Sequence, residues 1–289
     1  MKVTFLGTGA ATSYPLPFCH CSNCRQAWTI GGPSLRRRSS VLINNDLIID
    51  FGPDVMTAAF SHNVSLWDVR YCLLTHPHSD HFDMNHLFTR HPEYAVKDIF
   101  LLHLYASKGA LPRLVMASKI ESYDSDLISP EYCRSVLNLQ FHQVEVFCPF
   151  DVGSYLVTAF PANHDPTVEP LLYTIKDRTR TVFYGADTAT LPEQVWRGFH
   201  NHKLRFDIVI LDHTYGPGSS RVNQPDHLDA FQFVRHVRRL QDEKLLNDGA
   251  CIFATHLSHE GNPIHDELVR YALSNGYQVA YDGLVVNLK

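Results

Sequence analysis

Short apolar runs broken by polar loops dominate the chain, and they predict strands more often than helices. Val3-Thr4-Phe5-Leu6 opens the series. Val41-Leu42-Ile43 and Leu47-Ile48-Ile49 flank Asn44-Asn45-Asp46, a hairpin pattern with turn-competent residues in the middle. Further strands are expected at 71–74, 98–104, 144–147, 155–159, 171–175, 181–184, 206–211, 251–254 and 284–288. Helical spacing is clearest over 228–240, where Leu228, Phe231, Val234, Val237 and Leu240 share a face. Helices are also expected over 82–90 and 106–119, and residues 121–140, with weak periodicity, suggest a lid or an insertion. There are no repeats, low-complexity tracts or linkers, so one domain over 1–289 is expected.

Polar residues with metal-binding chemistry stand where these runs end. His76-Pro77-His78-Ser79-Asp80-His81 follows the run at 71–74. Three imidazoles and a carboxylate within six residues of loop suit a divalent metal. His164, Asp187 and His256 each follow a later predicted strand. Asp50 closes the hairpin, either as a plain turn residue or as a group that orients a ligand imidazole.

Cys19, Cys21 and Cys24 form a second cluster, spaced Cys-x-Cys-x-x-Cys. Three thiols suit a structural zinc, which needs a fourth ligand. His20 is a poor candidate because it sits between two ligands; His259, three residues past His256, can supply it. The remaining cysteines, Cys72, Cys133, Cys148 and Cys251, are expected to be small buried hydrophobes. Gly7-Thr8-Gly9 lacks the third glycine and following helix of a dinucleotide loop.

The chain has 289 residues, 45% hydrophobic and 19% charged, which suits a folded globular protein. A net charge of -5 leaves no basic footprint for nucleic acid, so nucleic-acid binding is not expected. No apolar stretch approaches a membrane span, and the N-terminus has no signal-peptide core, so a cytoplasmic protein is expected. A homodimer is compatible with the sequence but not required by it.

The motif His-x-His-x-Asp-His resembles the signature of the metallo-β-lactamase superfamily. The resemblance implies an α/β fold, a four-layer αββα sandwich. It also implies two divalent metals, Mn²⁺ or Zn²⁺ with Fe²⁺ admissible, activating a hydroxide nucleophile. His76, His78 and His164 would hold one metal and Asp80, His81 and His256 the other, with Asp187 bridging. The true lactamases carry cysteine at the position of Asp187; aspartate there is similar to the phosphodiester and thioester hydrolases. The cysteine insert and His259 resemble the phosphodiesterase of the carbon–phosphorus lyase pathway of phosphonate metabolism. That likeness implies a small phosphodiester substrate, 5-phosphoribosyl 1,2-cyclic phosphate. It also implies a role for His227, at the start of the 228–240 helix, as acid or transition-state stabiliser, alongside catalytic Asp80. At that helix start an anion could meet free N–H groups, and Asp226 could serve as N-cap. Similar branches include the tRNA 3′-processing endonucleases and the oxygen-using protein B of pyrroloquinoline quinone synthesis. A metal-stabilised binding module is the rival from another class.

Overall fold

Alternate residues of the apolar runs point to opposite faces, and both faces are covered. This is why the strands read as continuous hydrophobic stretches. The computed structural model describes residues 1–94, 99–110, 112 and 130–288. One seven-stranded sheet holds β1 (Lys2–Gly7), β2 (Ser40–Ile43), β3 (Leu47–Ile49), β4 (Tyr71–Leu73), β5 (Leu102–Ala106), β6 (Leu139–Gln143) and β14 (Val285–Asn287), ordered β14-β1-β2-β3-β4-β5-β6. The other holds β7 (Pro149–Val152), β8 (Tyr155–Pro161), β9 (Leu171–Lys176), β10 (Thr181–Gly185), β11 (Phe206–Asp212), β12 (Leu246–Thr255) and β13 (Gln278–Val279), ordered β13-β12-β11-β10-β9-β8-β7. Both sheets are mixed: β3 to β6 run parallel to one another, as do β10 to β13, and the remaining pairs are antiparallel.

Phe5, Ile43, Ile49 and Leu73 of the first sheet bury against Tyr173, Val182, Ile208 and Ile210 of the second. The outer residues of the first sheet, Leu42, Ile48 and Cys72, pack beneath α2 (Val55–Ser61), α3 (Met84–Phe88) and α4 (Pro130–Ser135) through Val55, Ala58, Leu87 and Cys133. On the far side Phe183, Val209 and Leu211 pack beneath α5 (Glu193–Asn201), α6 (Ala230–Asp242) and α7 (His265–Ser274) through Trp196, Phe199, Phe233, Val237 and Leu268. The layers are therefore αββα. Each large apolar side chain removed from water contributes about 1.5–3 kcal/mol before entropic costs. A separate helix, α1 (Ser22–Ile30), contains Cys24 and is capped by Cys21 of the cysteine cluster.

Several expectations need correction. Residues 144–147 are not a strand. Val144 donates its N–H to Ala106 of the first sheet and Phe147 donates to Ala159 of the second, so the run carries the chain from one sheet to the other. The helix expected over 82–90 is only Met84–Phe88, capped by Asp83. The strand expected at 98–104 is Leu102–Ala106. Ala106 ends that strand, residues 108–110 form a turn, and most of the expected 106–119 helix lies outside the described residues. The described part of 121–140 contains α4 and the start of β6, which is regular structure at the edge of the first sheet. Cys72 and Cys133 are buried, but Cys148 is exposed and Cys251 partly so. Cys148 follows the crossover, and Cys251 lies in the partly covered first part of β12.

The first glycines have a packing role. A Cβ on Gly7 would lie 1.9 Å from the Arg38 carbonyl oxygen, so the turn after β1 is glycine because backbone packs on backbone.

Candidate metal centre

Each candidate ligand lies at or just beyond the C-terminal end of a strand: His76 to His81 after β4, His164 after β8, Asp187 after β10 and His256 after β12. Both sheets thus deliver side chains to one place. The backbone is bent sharply there. Asp50, Asp187 and His256 have φ of 62°, 59° and 56°, a left-handed conformation uncommon for non-glycine residues. Gly52 permits the loop carrying Asp50 to touch the histidine motif, since its Cβ would lie 2.1 Å from the Asp80 carbonyl oxygen. Phe51 N–H donates to the His81 carbonyl in the same contact, at 2.8 Å.

All seven candidate residues converge. His76, His78 and His164 form one group able to hold a metal ion, and Asp80, His81, Asp187 and His256 form another. The Asp187 carboxylate lies between them, 3.2 Å from His76 Nε2, 3.4 Å from His164 Nδ1, 3.0 Å from His81 Nε2 and 3.7 Å from His256 Nε2. The facing nitrogens of His76 and His78 are 2.9 Å apart, and those of His164 and His78 are 3.4 Å apart. Nitrogens around one tetrahedral cation should be about 3.3 Å apart, from metal–nitrogen distances of about 2.0–2.1 Å.

The outer nitrogen of every candidate imidazole is held, as metal ligands require. His81 Nδ1 faces Asp50 at 2.7 Å. His76 Nδ1 meets the Thr75 hydroxyl at 3.0 Å, and that hydroxyl donates to Asp50. His256 Nδ1 meets the Thr214 hydroxyl at 2.8 Å, which donates to Asp212 at 3.0 Å. His164 Nδ1 meets the Asp226 carbonyl at 3.1 Å, and His78 Nε2 meets Asp165 at 3.1 Å. Asp50 is therefore an orienting group rather than a plain turn residue. The pair Asp212 and Thr214 repeats in the second sheet what Asp50 and Thr75 do in the first.

Asp212, Thr214 and Asp165 are functional candidates that the sequence reading passed over. Asp212 was visible as a polar residue ending an apolar strand, the same signal that marked the ligands.

His227 joins the centre by a different route from the one expected. It precedes α6 by three residues, and the helix is capped by Asp229, with Gln232 completing a capping box. Neither Asp226 as cap nor the helix N–H groups place His227. Its Nδ1 lies 2.9 Å from Asp187 and 3.2 Å from Asp212, and its ring stacks on His256.

Carboxylates and imidazoles in the centre shift one another's pKa values. Burial alone would lower the His227 and His256 pKa values, but Asp187 and Asp212 override it and push them up to about 11 and about 9. Burial works the other way on Asp212, yet hydrogen bonds from these imidazoles hold it at about 2. Asp187 is also depressed, well below the usual carboxylate range, because imidazoles crowd it against the opposing effect of burial. His81 Nε2 and His256 Nε2 are buried without a hydrogen-bond partner, both facing the shared carboxylates. These are the atoms through which the imidazoles would meet a cation. The donor set fits divalent metals.

The cysteine cluster also closes. Cys19, Cys21, Cys24 and His259 form a third group, with His259 Nδ1 3.6 Å from Cys19 Sγ and 3.5 Å from Cys21 Sγ. A tetrahedral zinc with bonds of about 2.3 Å to sulfur and about 2.0–2.1 Å to nitrogen would separate them by roughly 3.5 Å. Burial raises the Cys21 thiol, but the Cys24 N–H and His259 override that and lower it to about 7.

Residues 45–247 match the beta-lactamase superfamily domain. The chain belongs to the beta-lactamase superfamily. Solved structures agree on the superfamily fold. A diphosphatase from the PhnP family superposes with a TM-score of 0.72 at 21% identity, covering 99% of this chain and 96% of that one. Zn²⁺-bound PqqB from Methylobacterium extorquens gives 0.68 at 18% identity, with 100% of both chains covered. Human short-form tRNase Z gives 0.64 at 16% identity, again with 100% of both chains covered. No curated protein matches the chain in sequence. Among the described residues no helix is long and apolar enough to cross a membrane.

Proposed function

We propose that the chain is a metal-dependent phosphodiesterase acting on a small cyclic phosphate diester, with 5-phosphoribosyl 1,2-cyclic phosphate as the substrate. The observation that carries this reading is the Asp187 carboxylate, set between two imidazole-rich groups, where a lactamase would have cysteine. His76, His78 and His164 would hold one divalent cation and Asp80, His81 and His256 the other, with the Asp187 carboxylate beside both groups. Two such cations supply an activated water near neutral pH and stabilise charge on the phosphoryl oxygens.

The protein's own residues do the rest. Asp50, through His81 and Thr75, and Asp212, through His227 and Thr214, fix imidazole orientation before substrate arrives. With His227 Nδ1 held by Asp187 and Asp212, Nε2 is the nitrogen open to the leaving oxygen, where it can give a proton. Cys19, Cys21, Cys24 and His259 would hold a structural zinc, which would brace the loop bearing His256. The reduced thiol cluster suits the cytoplasm. The net charge of -5 supports a small substrate over RNA.

The test is hydrolysis by metal-depleted protein with Mn²⁺ or Zn²⁺ restored. Three substrates serve: bis(p-nitrophenyl) phosphate, the cyclic ribose phosphate and a phosphoanhydride, the last because a relative of like fold is a diphosphatase. Metal-dependent turnover with strong preference for the cyclic sugar phosphate is expected. Turnover of the generic diester alone would discard the substrate and keep the chemistry. No hydrolysis of any substrate by protein holding both cations would overturn the reading.

A further inference from the structure

The two halves of the centre are unequal. Asp187 is common to both, but Asp80, His81 and His256 are all buried and bring a second carboxylate, Asp80, to their side alone. Buried carboxylates also back their imidazoles: Asp50 lies 2.7 Å from His81, and Asp212 lies 3.4 Å from His256. The other half is three imidazoles, His76, His78 and His164. His76 reaches Asp50 only through the Thr75 hydroxyl, and His164 Nδ1 meets the Asp226 carbonyl at 3.1 Å, its one nearby carboxylate among the described residues being the shared Asp187 at 3.4 Å. His78 is held by Asp165, and both side chains of that pair are open to solvent, at 30% and 28% exposure.

Affinity for divalent cations rises with the negative charge and rigidity of the ligand set, and solvent weakens the supporting interactions. We propose, resting on the two-cation reading above, that the centre fills in order. The first cation is held tightly by Asp80, His81, Asp187 and His256. The second is held more weakly by His76, His78 and His164 beside the shared Asp187, with Asp165 setting its affinity. Asp165 is built for this. Its Oδ1 accepts from the Thr167 N–H and hydroxyl, which leaves Oδ2 aimed at His78 Nε2. The same short loop carries His164, so one segment governs two of the three ligands of the weaker site. Competence of the centre then follows the supply of divalent cation, because only the second position empties when cation is scarce.

The test is a Mn²⁺ titration followed by electron paramagnetic resonance, with Zn²⁺ left in the cysteine site, whose soft thiolates disfavour Mn²⁺. The first equivalent should bind at least about 10-fold tighter and give an isolated-ion spectrum. The exchange-coupled spectrum of a pair should appear only with the second. Asp165→Asn should weaken the second equivalent about 10-fold and leave the first alone. His78→Ala should abolish the second and keep the first. A coupled spectrum at substoichiometric Mn²⁺, loss of the tight equivalent in His78→Ala, or an unshifted second equivalent in Asp165→Asn would overturn the order while sparing the two-cation reading. Absence of any Mn²⁺ or Zn²⁺ binding outside the cysteine site would overturn both.

Discussion

At the scale of single residues, His76, His78, Asp80 and His81 were legible as a cluster just past an apolar run, and His164, Asp187 and His256 through the superfamily resemblance, each beyond a later run. Their supports were less so. Asp165, Thr75 and Thr214 act through contacts that only folding creates, and nothing in their spacing marks them. Asp212 supports two imidazoles, His227 and His256, at once. Its Oδ1 accepts from the N–H groups of Thr214 and Leu228, and its Oδ2 faces Thr214, His227 and His256. In Asp212→Asn one of these faces becomes an amide N–H, which cannot accept from an imidazole N–H. His227 and His256 must then change tautomer or turn. The expected result is a 10–100-fold fall in kcat at saturating metal, with the far-ultraviolet circular dichroism of the parent retained. Parental kcat under those conditions would mean that the carboxylate only caps the strand.

At the scale of elements, strands were easier to read than helices. Strands buried on both faces, such as β11 with Ile208 and Ile210 inward and Val209 and Leu211 outward, announce themselves as unbroken apolar runs. Short helices covering one face do not: α5 buries only Val195, Trp196, Gly198 and Phe199, and α7 only Leu268 and Ala272. The run at 144–147 misled because Val144 and Phe147 pack at the two ends of a crossing between sheets, while Val146 between them is exposed.

The helix α1 is short and buries only Cys24 and Ala27, so its own apolar contacts are few. Its N-cap is Cys21, whose Sγ accepts the Cys24 N–H at 3.4 Å and lies 3.5 Å from His259. An element with so small a core depends on its staple. Cys21→Ser should therefore lose close to one zinc per chain by elemental analysis and lower the melting temperature. Turnover per dinuclear centre should change much less. Unaltered zinc content and melting temperature would show the cluster to be three free thiols beside a histidine.

At the scale of the whole molecule, the centre is where the two sheets are tied together at their strand ends. His76 to His81 come from the first sheet, and His164, Asp187 and His256 from the second. The apolar layer between the sheets holds them face to face, yet it is non-directional and does not set the register of one sheet against the other. Cations bound across that boundary join both sheets, and they bind the folded chain alone. At a thousandfold excess over Kd, one such site contributes about 4 kcal/mol. For a chain of this size each kcal/mol moves Tm by about 2–4 °C at most. Protein stripped by a chelator, with only the cysteine site refilled by Zn²⁺, should then melt about 5–10 °C below protein given excess Mn²⁺. The difference should shrink in Asp187→Ala, because the carboxylate common to both halves is gone. A calorimetric scan in which Mn²⁺ leaves Tm unchanged in the parent protein would mean that the two sheets are held by their apolar layer alone and that the centre does not link them.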